Sequence, residues 1–436
     1  MLFAWARQAA LRLQTVVSEP RLAPRNRFRL EQTAAGFLIG AFQLVGRSHV
    51  GQFFGGGDSV WYFELRLWIL SALSIWLFAI AAKRSPRVNR YFAGKVRSWS
   101  VAFVAFVAYM IASSIWAPDL TLAGIKTYDL LFVGWSCVLT VAALRLSGVA
   151  ATIEGFWLAI FGLGLVLALA GLASVVSGNL TKGRVSALGG GPNVFGRNMG
   201  LLTLAALYYI IDGRRLAKHP ALVVAPIAIL LVLQSGSRGA MLALFAAVLV
   251  YLRSRGIDRR VLWSIVGVSV LGLAALLTQV GQLAVKIFFR RFIELLLLRG
   301  YTSNRVDLFA DGISAGIANP LGGLGLAGFA QLDSFGTYPH NMFIEAFAEG
   351  GLLGLLLLSA PFLLYLRRWM RGGGPGHPAI VAGLCLLGIS SSISGDLFDA
   401  RGVFLLLLFA VATQLPATVR HHRSPGATSV LPVSRA

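Results

Sequence analysis

The stretch TYPHNMFIEAFAEGG, residues 337–351, sets one histidine and two carboxylates, His340, Glu345 and Glu349, at the edge of the apolar run LLGLLLLSAPFLLYL. Ionisable groups cost free energy at such a boundary, so each needs a partner or a task. An imidazole titrating near neutral pH can take a proton from a hydroxyl. Pro339 has the fixed φ that suits a helix start, which would let the His340 side chain point into a cavity at the membrane edge. The alternative is a histidine that merely caps or hydrogen bonds at the interface, and its neighbours do not separate the two. On a helix, Glu345 would lie roughly 140° around from His340. A direct carboxylate–imidazole pair is therefore not expected, and both glutamates are expected to pair with arginines elsewhere.

The arginines supply the second half of the chemistry. Arg47 in LVGRSH, Arg184 and Arg197 in TKGRVSALGGGPNVFGRNMG, Arg238 in QSGSRGA, and Lys182, Lys286, Arg290, Arg291, Arg299 and Arg305 fall together on one side of the topology derived below. Singly, each can snorkel to lipid headgroups. Together they make a better case for a basic cavity. Arg238 is flanked by small and hydroxyl residues between two apolar runs, where a guanidinium needs an anionic or carbonyl partner. Its planar fork suits phosphate oxygens bidentately. A polyprenyl diphosphate, with its head at this depth and its tail in lipid, meets that need.

Other chemistries find less support. The glycine stretch SALGGGPNVFGRNMG, residues 186–200, lacks the strand–helix context of a dinucleotide fingerprint, and no Walker pattern occurs. NPLGGLGLAGF, residues 319–329, is similarly weak as a signal and reads as a flexible or tightly turned loop, ordered only with substrate in the flexible case. No His/Cys cluster has metal-ligand spacing, so neither metal nor cofactor is expected. Asp307/Asp311 and Asp396/Asp399 are as easily explained as arginine partners. Cys137 and Cys385 sit in apolar segments, with no disulfide framework.

These residues must be positioned by membrane helices. Of 436 residues, 57% are hydrophobic and only 13% charged, with a mean hydropathy of +0.74. A soluble chain carries about 25% charged residues. Twelve apolar runs are predicted as spans, near 33–47, 65–82, 99–117, 129–145, 155–176, 198–212, 221–235, 240–252, 261–280, 341–366, 379–394 and 402–418. With both termini cytoplasmic, most of the 39 Lys and Arg fall inside, as the positive-inside rule requires. The net charge of +22 is thus largely topogenic, and nucleic acid is not an expected partner. The expected organisation is spans one to nine over 1–280, preceded by an amphipathic surface helix within 1–30. A helical cap follows over 281–340, then spans ten to twelve over 341–418 and a disordered tail over 419–436. No internal repeat is evident.

The order GRVSALGGGPNVFGRNMG, SGSRGAMLAL, SNRVDLFADGISAGIANPLGGLGLAGF and PHNMFIEAFAEGGLLGLLL resembles the O-antigen ligase and O-antigen polymerase superfamily, over roughly residues 184–355. The resemblance implies an all-α polytopic inner-membrane glycosyltransferase of about 12 transmembrane helices with a helical periplasmic cap, related to the C-type glycosyltransferase fold. It implies a glycan donor carried on undecaprenyl diphosphate and transfer on the periplasmic side. In the ligase branch the acceptor is lipid A–core oligosaccharide, and the product is lipopolysaccharide. Carried over by motif, the essential histidine matches His340 and the essential arginines match Arg238 and, less closely, Arg184, Arg197 and Arg305. Arg47 joins them from topology alone. The expected chemistry is metal-independent and inverting, with His340 as general base and the arginines stabilising the leaving diphosphate. An O-antigen polymerase or a protein O-oligosaccharyltransferase would share the donor chemistry. A lipid-linked oligosaccharide flippase would want the same basic cavity without a base.

Overall fold

The structure, a computed structural model, describes residues 30–46, 64–83, 90–187, 190–212, 215–256, 259–298, 304–332 and 338–414. The segment expected to form a surface helix before residue 30, Arg47, Arg299 and the tail 419–436 lie outside them.

Among the described residues every regular element is helical. Helices α1 (Leu30–Val45), α2 (Leu65–Lys83), α3 (Arg90–Ala112), α4 (Leu120–Leu146) and α5 (Val149–Val176) form the first half. Helices α6 (Pro192–Ile211), α7 (Arg215–Gln234), α8 (Arg238–Arg255) and α9 (Arg259–Leu276) follow. Beyond them come α10 (Gln279–Phe288), which continues in wider π-type turns over Phe289–Leu298, and α11 (Arg305–Ala318). The last three are α12 (Met342–Arg368), α13 (Pro378–Ser394) and α14 (Arg401–Thr413). Several starts are written in the sequence. The Asp119 carboxylate accepts from the amides of Thr121 and Leu122 at the head of α4, and the Thr278 side chain caps α10 through Gly281.

Among the described residues, eleven of the twelve apolar runs coincide with one helix each and the ninth divides between two, and six helices are long and apolar enough to cross a membrane by length and composition. The ninth run departs from expectation. Instead of a straight span over 261–280, α9 ends at Leu276 and the chain turns through 94° into α10. The core is built on α14, whose residues Val403–Phe409 are essentially inaccessible, and on α6. The outer helices present Trp68, Ile75, Phe78, Leu169, Phe245 and Leu249 outward. Such a surface would be a liability in water and is favourable against hydrocarbon. The chain reads as a multi-pass membrane protein.

Helix α12 is broken at Gly351, whose φ of 62° and ψ of −161° leave the helical region. The break frees carbonyls that an unbroken helix would use internally. The amides of Leu324 and Gly325 donate to Ala348 O (2.9 Å) and Glu349 O (3.0 Å), and Leu352 N donates to Pro320 O (2.7 Å). The 319–329 loop is thereby laced across the kink, as its glycines permit. Glu345 and Glu349, fully buried on the first half of α12, do not pair with arginines as the sequence suggests. Both engage Lys126 of α4, whose Nζ lies 2.6 Å from Glu349 Oε1. Their distance along the chain, more than 200 residues, keeps this partner out of any local reading.

Breaking a buried ion pair from one side leaves an uncompensated charge, typically at a cost of about 3–5 kcal/mol. Lys126→Met should therefore lower the thermal unfolding midpoint in detergent sharply. Adding Glu345→Gln and Glu349→Gln to it should restore most of the loss, measured on the same purified preparations.

Candidate active site

Four guanidiniums converge on one end of the helix bundle, each brought there by a different local device. Thr181 and Arg184 exchange backbone hydrogen bonds of 2.9 and 3.1 Å across a two-residue turn, with Lys182 at φ 52° and Gly183 at φ 71°. Positive φ at both central positions is the signature of a tight hairpin turn. The turn carries Arg184 onto the end of α7, where Nε donates to Ser235 O (2.7 Å) and Nη2 to Asn193 Oδ1 (2.9 Å). Arg238 is the first residue of α8. Between α7 and α8 only Ser235, Gly236 and Ser237 intervene, and the reversal needs Gly236 at φ 58°. The Ser237 side chain caps the new helix by accepting from Ala240 N. The S-x-S-R-G motif is thus a turn that delivers an arginine to a helix start. Arg291 comes from the π-wound continuation of α10, and Arg305 opens α11 after the left-handed Asn304.

His340 completes the group. It is not on a helix, contrary to the reading from Pro339. It sits at φ 59°, a left-handed conformation that costs a non-glycine residue on the order of 1–3 kcal/mol. Its neighbours impose that conformation. Pro339 precedes it, and Asn341 follows as the N-cap of α12, its Oδ1 accepting from Phe343 N (2.9 Å) and Ile344 N (3.2 Å). The same Asn341 donates Nδ2 to Ser392 O on α13 (2.8 Å). P-H-N therefore reads as a rigid residue, a projected imidazole and a cap that straps two helices together. The Tyr338 ring meets the imidazole edge to face, 4.5 Å between centroids.

These residues line a cavity of about 190 Å³, formed by Arg184, Asn193, Gly236, Arg238, Arg291, Arg305 and His340. Among the described residues, no carboxylate contributes to its lining. Arg305 Nη2 donates to Ser394 Oγ at 3.2 Å, and Arg291 Nε is buried without a hydrogen-bond partner among the described residues. Crowded cations weaken one another's charged forms. Arg184 is pushed down to about 10, first by burial and then by Arg291, Arg305 and Arg238. Arg305 is lowered by burial and by Arg238. The imidazole of His340 is lowered from its ordinary value by burial first and by Arg305 second. Its buried Nδ1 has no hydrogen-bond partner among the described residues.

Of the site residues expected from sequence, Arg184, Arg238, Arg305 and His340 line this cavity together. Arg197 does not. It is buried on α6 and bonds the Asp399 carboxylate at 2.6 Å, with Arg401 3.7 Å from the other oxygen. The sequence marks Asp399 as an arginine partner but does not say which arginines it meets. Arg47 lies outside the described residues. The sequence places Arg291 among the outer-side cations without marking it as a site residue, and it does not single out Asn193 or Tyr338. Asn193 and Tyr338 sit inside motifs noted above and Arg291 inside the expected cap, yet nothing local marks their direction.

Residues 222–359 match the O-antigen ligase family. The resemblance drawn from the motifs to the O-antigen ligase and polymerase superfamily therefore holds over this segment. It contains Arg238, Arg291, Arg305 and His340, whereas Arg184 and Asn193 reach the cavity from outside it. No curated protein matches the chain.

If Arg305 helps hold the imidazole neutral, Arg305→Gln should raise the His340 pKa, because one cation that opposes protonation is gone. The expected result in ¹⁵N-histidine NMR is a titration midpoint moved to higher pH, while Lys286→Gln, on an exposed residue that does not line the cavity, leaves it in place.

Proposed function

We propose that the protein is a glycosyltransferase that takes a glycan from undecaprenyl diphosphate and passes it to the terminal sugar of lipid A–core oligosaccharide, as an O-antigen ligase does. The observation that carries the reading is the cavity itself: four guanidiniums and one imidazole, without a lining carboxylate among the described residues. Such a group calls for a multiply charged anion, and arginine forks match phosphate oxygens. The glycan-bearing diphosphate would lie among Arg184, Arg238, Arg291 and Arg305, with its prenyl tail in the bilayer.

In the reaction the acceptor hydroxyl oxygen forms a bond to the anomeric carbon as the bond from that carbon to the diphosphate oxygen breaks. The hydroxyl proton passes to His340, and the bonding pair leaves with the polyprenyl diphosphate, which gains a negative charge. Fixed guanidiniums aimed at that growing charge supply the stabilisation a divalent cation would otherwise give. A single displacement of this kind inverts the anomeric centre. A depressed imidazole pKa suits the role, since the base must start unprotonated.

On this reading the chain lies in the bacterial inner membrane as about twelve helices of a fold related to the C-type glycosyltransferases. The cavity faces the periplasm, and residues 281–340 form a cap over it. The basic surroundings suit a phosphorylated acceptor, which favours the ligase over a polymerase or a protein O-oligosaccharyltransferase.

Purified protein, undecaprenyl-diphosphate-linked glycan and lipopolysaccharide lacking O-antigen should give a larger lipopolysaccharide without nucleotide, and EDTA should leave the rate unchanged. His340→Ala should cut transfer by about 10²–10⁴-fold while donor binding survives; full activity would remove His340 from the mechanism. Transbilayer movement of the lipid without transfer would mark a flippase instead.

A further inference from the structure

A second cavity, about 340 Å³, adjoins the cationic one. Asn193 lines both, and Tyr338 on the second wall lies against the His340 ring on the first. The two differ in chemistry. The polar edge of the second carries Asn193, Arg197, Asn198, Ser394 and Asp399, while Leu44, Leu167 and Phe195 form an apolar wall. Its charges are already paired with each other: Arg197 Nη2 holds Asp399 Oδ2 at 2.6 Å. The site therefore does not select an anion.

The remaining hydrogen-bonding capacity is that of a polyol site. A carboxylate has about four lone-pair positions, so Asp399 can accept from hydroxyls besides its arginines. Asn198 spends Nδ2 on Leu44 O at 3.2 Å, which leaves Oδ1 to accept. Asn193 spends Oδ1 on Arg184, which leaves Nδ2 to donate. Ser394 Oγ accepts from Arg305, which leaves its O–H to donate. Acceptors and donors thus both face the cavity beside an apolar wall, a combination matched by a ring with a hydroxyl rim and C–H faces. A prenyl chain fits the wall but would leave the polar edge without partners, at a cost of about 1–3 kcal/mol for each desolvated group.

We propose that this second cavity is a pyranose subsite, which seats a neutral sugar ring beside His340 while the first cavity holds the diphosphate. The subsite rests on the diphosphate reading of the first cavity. The ring is either the sugar joined to the donor diphosphate or the terminal sugar of the acceptor; both present the same chemistry.

Gly191 offers a way to fill the subsite without touching the cationic cavity. It lines the second cavity at the head of α6, its φ of −63° is ordinary for any residue, and an added Cβ meets nothing within 4 Å. Gly191→Leu, with Gly191→Ala as a milder step, should leave affinity for undecaprenyl diphosphate that carries no sugar within twofold of the original protein. The KM for one sugar-bearing substrate should rise at least tenfold in the Leu variant and less in the Ala variant. A rise for the lipid-linked glycan assigns the ring to the donor, and a rise for the core oligosaccharide assigns it to the acceptor. Unchanged KM for both substrates overturns the proposal. So does weakened binding of the sugar-free lipid, which would make the cavity a seat for the prenyl tail. Failure of the unaltered protein to bind sugar-free undecaprenyl diphosphate is a separate result, and it counts against the diphosphate reading.

Discussion

Mutual repulsion among Arg184, Arg238, Arg291 and Arg305 is the constraint around which the rest is arranged. Two like charges about 8 Å apart, at an effective dielectric of about 20, repel by about 2 kcal/mol. The cavity gathers several like-charged pairs, half-buried and without a lining carboxylate among the described residues. A fold of marginal stability does not hold that arrangement by accident. An anion with several oxygens converts the repulsion into attraction, and the most favourable occupant carries the most negative charge. A leaving lipid diphosphate is such a species, more charged as the bond breaks than before. On the proposed function, the ground-state cost of crowding the cations becomes the source of transition-state stabilisation.

Holding the cations and the imidazole in place falls to rigid backbone devices. The turn at Gly236 fixes Arg238, and the hairpin turn at Lys182–Gly183 fixes Arg184. Asn341 caps α12 and straps it to α13, which leaves His340 in a strained, projected conformation. Behind them, Lys126 joins α4 to both buried glutamates of α12, and the kink at Gly351 accepts the 319–329 loop. The two carboxylates whose position looks so costly in sequence are framework: they secure the helix whose cap directly follows the imidazole.

Much of this arrangement is legible in the amino-acid sequence, for physical reasons. Apolar runs specify helices because lipid leaves no other way to satisfy the backbone, so among the described residues the apolar runs coincide with helices. Arg238 and His340 stand out because each breaks the apolar rule locally, within a motif of a few residues. What stays hidden depends on distant parts of the chain. Lys126 meets Glu349 across more than 200 residues, and Arg197 meets Asp399 across as many. Arg197 therefore reads as a member of the cationic cluster when it is a neutralised neighbour of it. The 94° elbow between α9 and α10 reads as one straight span because hydropathy measures composition, not direction. Local composition shows which residues are expensive; only the fold determines how each expense is met.

The central claim is that these four guanidiniums hold the head of a lipid diphosphate beside His340. The most direct measurement is a structure of the protein in a lipid nanodisc with undecaprenyl diphosphate bound. The account predicts phosphate density within hydrogen-bonding distance of Arg184, Arg238, Arg291 and Arg305, with the prenyl chain leaving toward the bilayer. Density for the diphosphate at any other place, with the cationic cavity holding none of it, would contradict the account.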